Sequence, residues 1–187
     1  MIPAFLEGLA QSVLPCSWLI LLSALLVGMT TGRPTRIAAY AVSMVGFIWL
    51  AVSGWLSPPV WLAGLFLLVA ALAWWRWGAG VAQTALVGVG VAWAWQPCVG
   101  KELGRALNLA QHDPVGALPG LAAFLIGVMS VGLIVGAAVR LVLSRRGPEV
   151  PRWLAPIALG ALGLLMVTGL YGSVASTLAR WSTSIWG

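Results

Sequence analysis

Long uncharged, apolar runs dominate this chain. They cover residues 8–32, 37–75, 77–100, 114–139 and 153–179, with only short polar stretches between them. A helix that crosses a bilayer needs about 20 consecutive apolar residues. Four of the runs therefore hold one such helix each, and the run 37–75 holds two. The pattern predicts six helices, over roughly 4–29, 37–56, 60–76, 82–110, 115–142 and 153–178. Ser57-Pro58-Pro59 divides the longest run, because tandem proline removes backbone donors and stops a helix. Arg76 and Gly78-Ala79-Gly80 close the third helix, and Asp113-Pro114 opens the fifth with Asp113 as its cap.

Composition narrows the class. Of 187 residues 61% are hydrophobic and 7% charged, against about 25% charged in a soluble domain. Such a chain cannot cover a water-facing surface. The net charge of +6 comes from a shortage of acids, and the basic residues sit at helix ends rather than on a patch. A nucleic-acid partner is excluded, and the expected partner surface is the lipid bilayer. The reading is an all-α polytopic membrane protein, one membrane domain over residues 1–187.

Orientation follows from Lys and Arg, which cytoplasmic loops collect. Arg33, Arg36, Arg76, Arg145, Arg146 and Arg152 fall on one side, and Arg180 on the other. Both termini are expected outside a cell inner (plasma) membrane. The first helix is expected to be retained, since no basic region precedes it. Tryptophan clusters at the expected interfaces, Trp74, Trp75, Trp77 and Trp153 inside and Trp55, Trp61, Trp181 and Trp186 outside, as aromatic belts do. Gly116 with Gly120, and Gly132 with Gly136, have the four-residue spacing that lets helices approach closely.

The candidate chemistry lies in two dipeptides, Pro15-Cys16 and Pro97-Cys98, which hold the only two cysteines. Each lies deep in an apolar run, in the first and fourth helices, and the turns that follow keep nearly the same offset. The chain thus divides into two three-helix repeats, 1–78 and 79–187. An odd helix number inverts the second repeat relative to the first, an arrangement that recurs with broken helices and a midplane site. Proline breaks a helix and is comfortable at the first position of a new one. The next residue then faces unpaired N–H groups and a dipole that favours an anion. A cysteine there is poised as a thiolate, the species that attacks disulfides. The plainer reading is that each cysteine is a small apolar packing residue beside a kink.

With these features in place the chain resembles the CcdA-like proteins and the related transmembrane domain of DsbD. The resemblance runs over nearly the whole chain, in helix number, inverted halves and one Pro-Cys in the first helix of each half. Locally, Phe5-Leu6-x-Gly8-Leu9 with Pro15-Cys16 is similar to the family's first helix, and Trp95-Gln96-Pro97-Cys98-Val99-Gly100 to its fourth. Family members carry further prolines after each Pro-Cys, where this chain has Ser17-Trp18-Leu19-Ile20 and Val99-Gly100-Lys101-Glu102. The resemblance implies a thiol–disulfide oxidoreductase in which Cys16 and Cys98 form a reversible disulfide. It implies electrons taken from cytoplasmic thioredoxin and passed to extracytoplasmic thioredoxin-like proteins, as in cytochrome c maturation. Such exchange needs no cofactor, because sulfur itself carries the two electrons.

Ionisable residues within a span are costly unless paired or solvated. Lys101, Glu102 and Arg105 follow Cys98 directly. A helix continuous through 98–105 would put Cys98, Lys101 and Arg105 on one face, where Lys101 favours a Cys98 thiolate; the alternative is that these side chains snorkel to the outer headgroups. Glu7 lies about 13 Å outward of Cys16 and Arg105 about 10 Å outward of Cys98, at 1.5 Å per residue, which places them to pair. His112, the only histidine, stands with Asp113 alone, too few ligands for a metal site. Two other classes fit the same layout. One is a small six-helix transporter of a soft metal ion or anion, and the other a non-catalytic membrane subunit of a larger complex.

Overall fold

The computed structural model describes residues 2–12, 17–30, 33–53, 59–95, 101–146, 153–173 and 176–177. These form α1 (Ile2–Gln11), α2 (Trp18–Thr30), α3 (Pro34–Val52), α4 (Val60–Trp77), α5 (Val81–Ala94), α6 (Lys101–His112), α7 (Pro114–Arg146) and α8 (Leu154–Val167). No strand occurs among the described residues, so the chain is all-α as expected.

Local chemistry sets the helix ends. Pro34 occupies the first turn of α3, where its missing N–H would have had no partner. Gly78, with φ 81°, ends α4, and its N–H bonds to the Trp74 carbonyl at 2.8 Å; the left-handed conformation suits glycine. Asp113 caps α7, its Oδ1 accepting from the Gly116 N–H at 2.9 Å. The last helix is shorter than its apolar run, because Gly169 at φ 75° turns the chain just beyond Val167.

Two of the six expected helices come in pieces. The first is α1 and α2, the fourth α5 and α6. Packing shows that α1 and α2 are not one rod. A Cβ on Gly8 would strike the backbone of Phe124 and Val128 on α7, while Ala24 and Leu25 of α2 meet α7 at Gly132. Between those two levels α7 rises about 8 Å, whereas an unbroken helix from residue 8 to 24 would rise about 24 Å.

Helix α7 is the hub, with α1, α2, α3 and α6 against it. Helix α3 lies along α5, α5 along α4, and α4 along α8. Trp93 of α5 is held between Phe47 of α3 and Phe66 of α4, at ring-centroid distances of 5.1 and 5.5 Å. Tyr40, Met44, Leu67, Phe124, Leu125 and Met129 are fully buried in the same core.

Glycine permits the closest crossings. Gly88 of α5 faces the Tyr40 carbonyl and the Met44 N–H of α3, much as Gly8 of α1 faces the Phe124 carbonyl and the Val128 N–H of α7. Gly64 of α4 and Gly163 of α8 face each other's carbonyls. Of the two glycine pairs singled out in α7, Gly132 and Gly136 do admit α2. Gly116 and Gly120 do not serve this purpose: a Cβ on Gly116 meets only the Asp113 side chain, and one on Gly120 only Ala106 at 3.9 Å.

The outside of the bundle is apolar. Val42, Leu72, Val115 and Ile134 all stand mostly exposed. Helix α3, at 19 residues with mean hydropathy 1.6, and the 31-residue stretch Pro114–Ser144 of α7, at 2.4, are long and apolar enough to cross a membrane. Only 17% and 39% of their most apolar windows are buried. Trp61, Trp75, Trp77 and Trp153 are exposed, in keeping with interfacial positions, but Trp74 is a core residue at 4% exposure. Trp55, Trp181 and Trp186 lie outside the described residues.

Candidate functional site around the two interrupted helices

Pro15, Cys16, Pro97 and Cys98 lie outside the described residues, as do the side chains of Lys101 and Glu102. Their flanks are described. Ser12 follows α1, and its hydroxyl donates to the Leu9 carbonyl at 2.7 Å. Ser17 precedes α2, and both serines are buried. On the other side Trp95 ends α5 in extended conformation, its N–H bonded to the Val91 carbonyl at 3.0 Å.

These flanks meet at one turn of α7. The Trp95 ring packs on Phe124, with centroids 6.3 Å apart and planes tilted by 31°. The carbonyl of that same Phe124 faces Gly8 on α1. The end of α5 and the body of α1 therefore abut a shared piece of α7. In sequence Trp95 is one aromatic residue among twelve tryptophans, and nothing there distinguishes it. Its indole Nε1 is buried with no hydrogen-bond partner, alone in this among the described residues.

The charged candidates sit on α1 and α6, which touch each other and both contact α7. Glu7 is half-buried, and its Oε1 accepts from Gln11 Nε2 at 3.2 Å. Arg105 is exposed. Lys101 and Arg105, four residues apart on α6, share a face of that helix. Cys98, expected on the same face, lies outside the described residues. His112 and Asp113 are exposed at the junction of α6 and α7.

A second polar feature lies at mid-bundle. Ser23 Oγ donates to the Ile20 carbonyl at 3.0 Å, which uses its one proton. The buried Tyr40 hydroxyl, 2.6 Å away, is then the donor to Ser23 Oγ. This bond ties α2 to α3, and the apolar run around Ser23 gave no sign of it.

The fold and these surroundings define an all-α bundle with an apolar exterior and two interrupted helices against a common hub. Compared with protein-family models, curated proteins and solved structures, the chain matches none.

Proposed function

We propose that this protein is a six-span thiol–disulfide relay of the inner (plasma) membrane, built from two inverted three-helix repeats with both termini outside. A cytoplasmic dithiol of thioredoxin type reduces a Cys16–Cys98 bridge, and the resulting dithiol reduces an extracytoplasmic thioredoxin-like acceptor of the cytochrome c maturation kind. The attacking thiolate forms a mixed disulfide with one cysteine while the electron pair of the broken S–S bond leaves on the other sulfur. A second thiolate of the donor then resolves the mixed disulfide, so two electrons enter the protein.

One observation carries the reading. In each proposed half a helix ends shortly before the Pro-Cys in sequence: α1 ends at Gln11, with α2 beginning at Trp18, and α5 ends at Ala94, where Trp95 is extended. The pairing of the remaining elements supports the inversion. The first span packs on the fifth (α1 and α2 on α7), the fourth packs on the second (α5 on α3), and the third packs on the sixth (α4 on α8). Those pairs interchange under a two-fold axis that relates the halves. The glycine contacts repeat too, since Gly88 stands to Tyr40 and Met44 as Gly8 stands to Phe124 and Val128. A two-fold axis between α4 and α8 also accounts for the reciprocal contact of Gly64 and Gly163.

The test is direct. Protein alkylated without reductant and digested should yield a Cys16–Cys98 linked peptide in an oxidised fraction, and prior treatment with reduced thioredoxin, itself oxidised to the disulfide, should abolish it. Undiminished electron transfer in Cys16→Ser plus Cys98→Ser would end the reading.

A further inference from the structure

One end of the seam between α4 and α8 gathers exposed tryptophan around an exposed arginine. Gly64 of α4 meets Met166 and Val167 of α8, Gly163 of α8 meets Leu68, and Gly160 meets Ala71. The two helices therefore run antiparallel, and Gly64, Leu68 and Ala71 form the stripe of α4 that faces α8. Trp75 is the next member of that stripe, level with the first turn of α8, which Trp153 precedes. Trp75, Trp77 and Trp153 are 62%, 77% and 52% exposed, and Arg76 is exposed between the first two. Large apolar rings clustered in the open are a poor fit to bulk water. An exposed guanidinium is a poor fit to hydrocarbon. Both suit the layer where acyl chains meet headgroups.

Charge selects the headgroup. Phe47 of α3 stacks on Trp93 of α5, and Tyr40 and Met44 of α3 face Gly88 of α5. Helices α3 and α5 thus run parallel and begin at the same end. Helix α4 ends there too, since only residues 78–80 separate it from α5. Arg33 and Arg36, at the start of α3, therefore share this end with Arg76. No acidic residue occurs on α3, α4, α5 or α8. The four acids of the chain are Glu7 on α1, Glu102 on α6, Asp113 before α7, and Glu149, which Arg145, Arg146 and Arg152 outnumber in its own stretch of sequence. A positive surface of this kind attracts anionic lipid.

We propose that the end of the α4–α8 seam is a binding site for an anionic phospholipid, with Arg76 pairing with its phosphate and Trp75, Trp77 and Trp153 lying along its glycerol and ester groups. A guanidinium can donate to two phosphate oxygens at once. An indole N–H can donate to an ester carbonyl while the ring stays among acyl chains. In the orientation proposed above, the lipid belongs to the cytoplasmic leaflet. The site rests on the membrane part of that reading and goes beyond it, needing neither cysteine.

The experiment titrates full-length, delipidated protein in mild detergent with phosphatidylglycerol or phosphatidylcholine and follows the complexes by native mass spectrometry. Wild type should retain phosphatidylglycerol in preference, and Arg76→Gln should weaken it about fivefold, the weight of one arginine at a charged surface. Arg105→Gln removes the same charge from α6, which packs on α7, and should leave that affinity unchanged. Inorganic phosphate at the lipid's concentration should not displace the lipid, because it lacks the glycerol and chains that the tryptophans cover. Phosphatidylglycerol with a photoactivatable group near its headgroup should label wild-type peptides that hold Trp75, Arg76 and Trp77, or Trp153. That measurement needs no substitution, so poor folding of Arg76→Gln leaves the test intact. Equal retention of phosphatidylcholine, equal weakening by Arg105→Gln, displacement by phosphate, or labelling confined to other peptides overturns the proposal. A missing Cys16–Cys98 link would defeat the relay and leave each of these readouts as it is.

Discussion

Gly8 of α1 and Gly127 of α7 cross with no room for a side chain on either. A Cβ on Gly127 would lie 3.2 Å from the Gly8 Cα and 3.1 Å from the Leu9 N, and one on Gly8 would lie 3.2 Å from the Val128 N. The obstacle on each side is backbone, which cannot turn aside as a flexible side chain can. Gly8→Leu or Gly127→Leu should therefore separate α1 from α7 and cost about 1–3 kcal/mol or more, the range for overpacked cores. Gly46 is the control. It lies inside α3 with nothing within 4 Å of a Cβ, so Gly46→Ala should stabilise by about 0.5–1 kcal/mol through backbone entropy. Thermal unfolding in detergent checks both signs.

Deletions at the bond between α2 and α3 should be unequal. Tyr40→Phe removes the donor, but Ser23 keeps its bond to the Ile20 carbonyl. Ser23→Ala instead leaves a fully buried Tyr40 hydroxyl without its acceptor. A lost hydrogen bond costs about 1 kcal/mol and a stranded buried polar group about 1–3 kcal/mol, so Ser23→Ala should be the more damaging. Equal losses in unfolding free energy would refute the assigned donor direction.

Punctuation was legible in the sequence, and pairing was not. Gly78 and Asp113 act through their own backbone geometry or a hydrogen bond within three residues, so the end of α4 and the start of α7 could be read directly, whereas α3 begins at Pro34, three residues before the expected start. The break before α2 and the end of α5 were harder to place because the uncharged runs 8–32 and 77–100 pass through them. Only the prolines hinted at them. Helices apolar on every side offer no face that names a partner. That is why Gly116 with Gly120 reads the same as Gly132 with Gly136, although only the second pair admits α2. It is also why Trp74 read as an interfacial neighbour of Trp75, while helical rotation turns it into the core. The two cysteines stood out by chemistry, whereas Trp95 stands out only once its burial is known.

The Asp113 cap should carry measurable stability despite its exposure. Its Oδ1 satisfies the Gly116 N–H at 2.9 Å, and its carbonyl accepts the Ala117 N–H at 3.1 Å. Asp113→Ala removes only the side-chain bond and should cost about 0.5–2 kcal/mol, with Asp113→Ser or Asp113→Asn restoring most of it. Comparison of the three variants by thermal unfolding separates the cap from any effect of charge, because serine and asparagine cap without it.

Orientation can be tested at two exposed positions chosen from opposite ends of the charge pattern. His112 stands at the junction of α6 and α7, and Ser144 near the far end of α7, whose length of about 50 Å exceeds the roughly 30 Å of a bilayer core. Arg33, Arg36, Arg76 and Arg140 all belong with the Ser144 end, and the bias of basic residues towards the cytoplasm then puts His112 outside. In a background of Cys16→Ser with Cys98→Ser, His112→Cys should react with a membrane-impermeant maleimide added to intact cells. Ser144→Cys should react only after the membrane is opened. The reverse pattern would invert the whole arrangement and place the first and last spans' free ends in the cytoplasm. Equal labelling of both in intact cells would show that α7 does not cross.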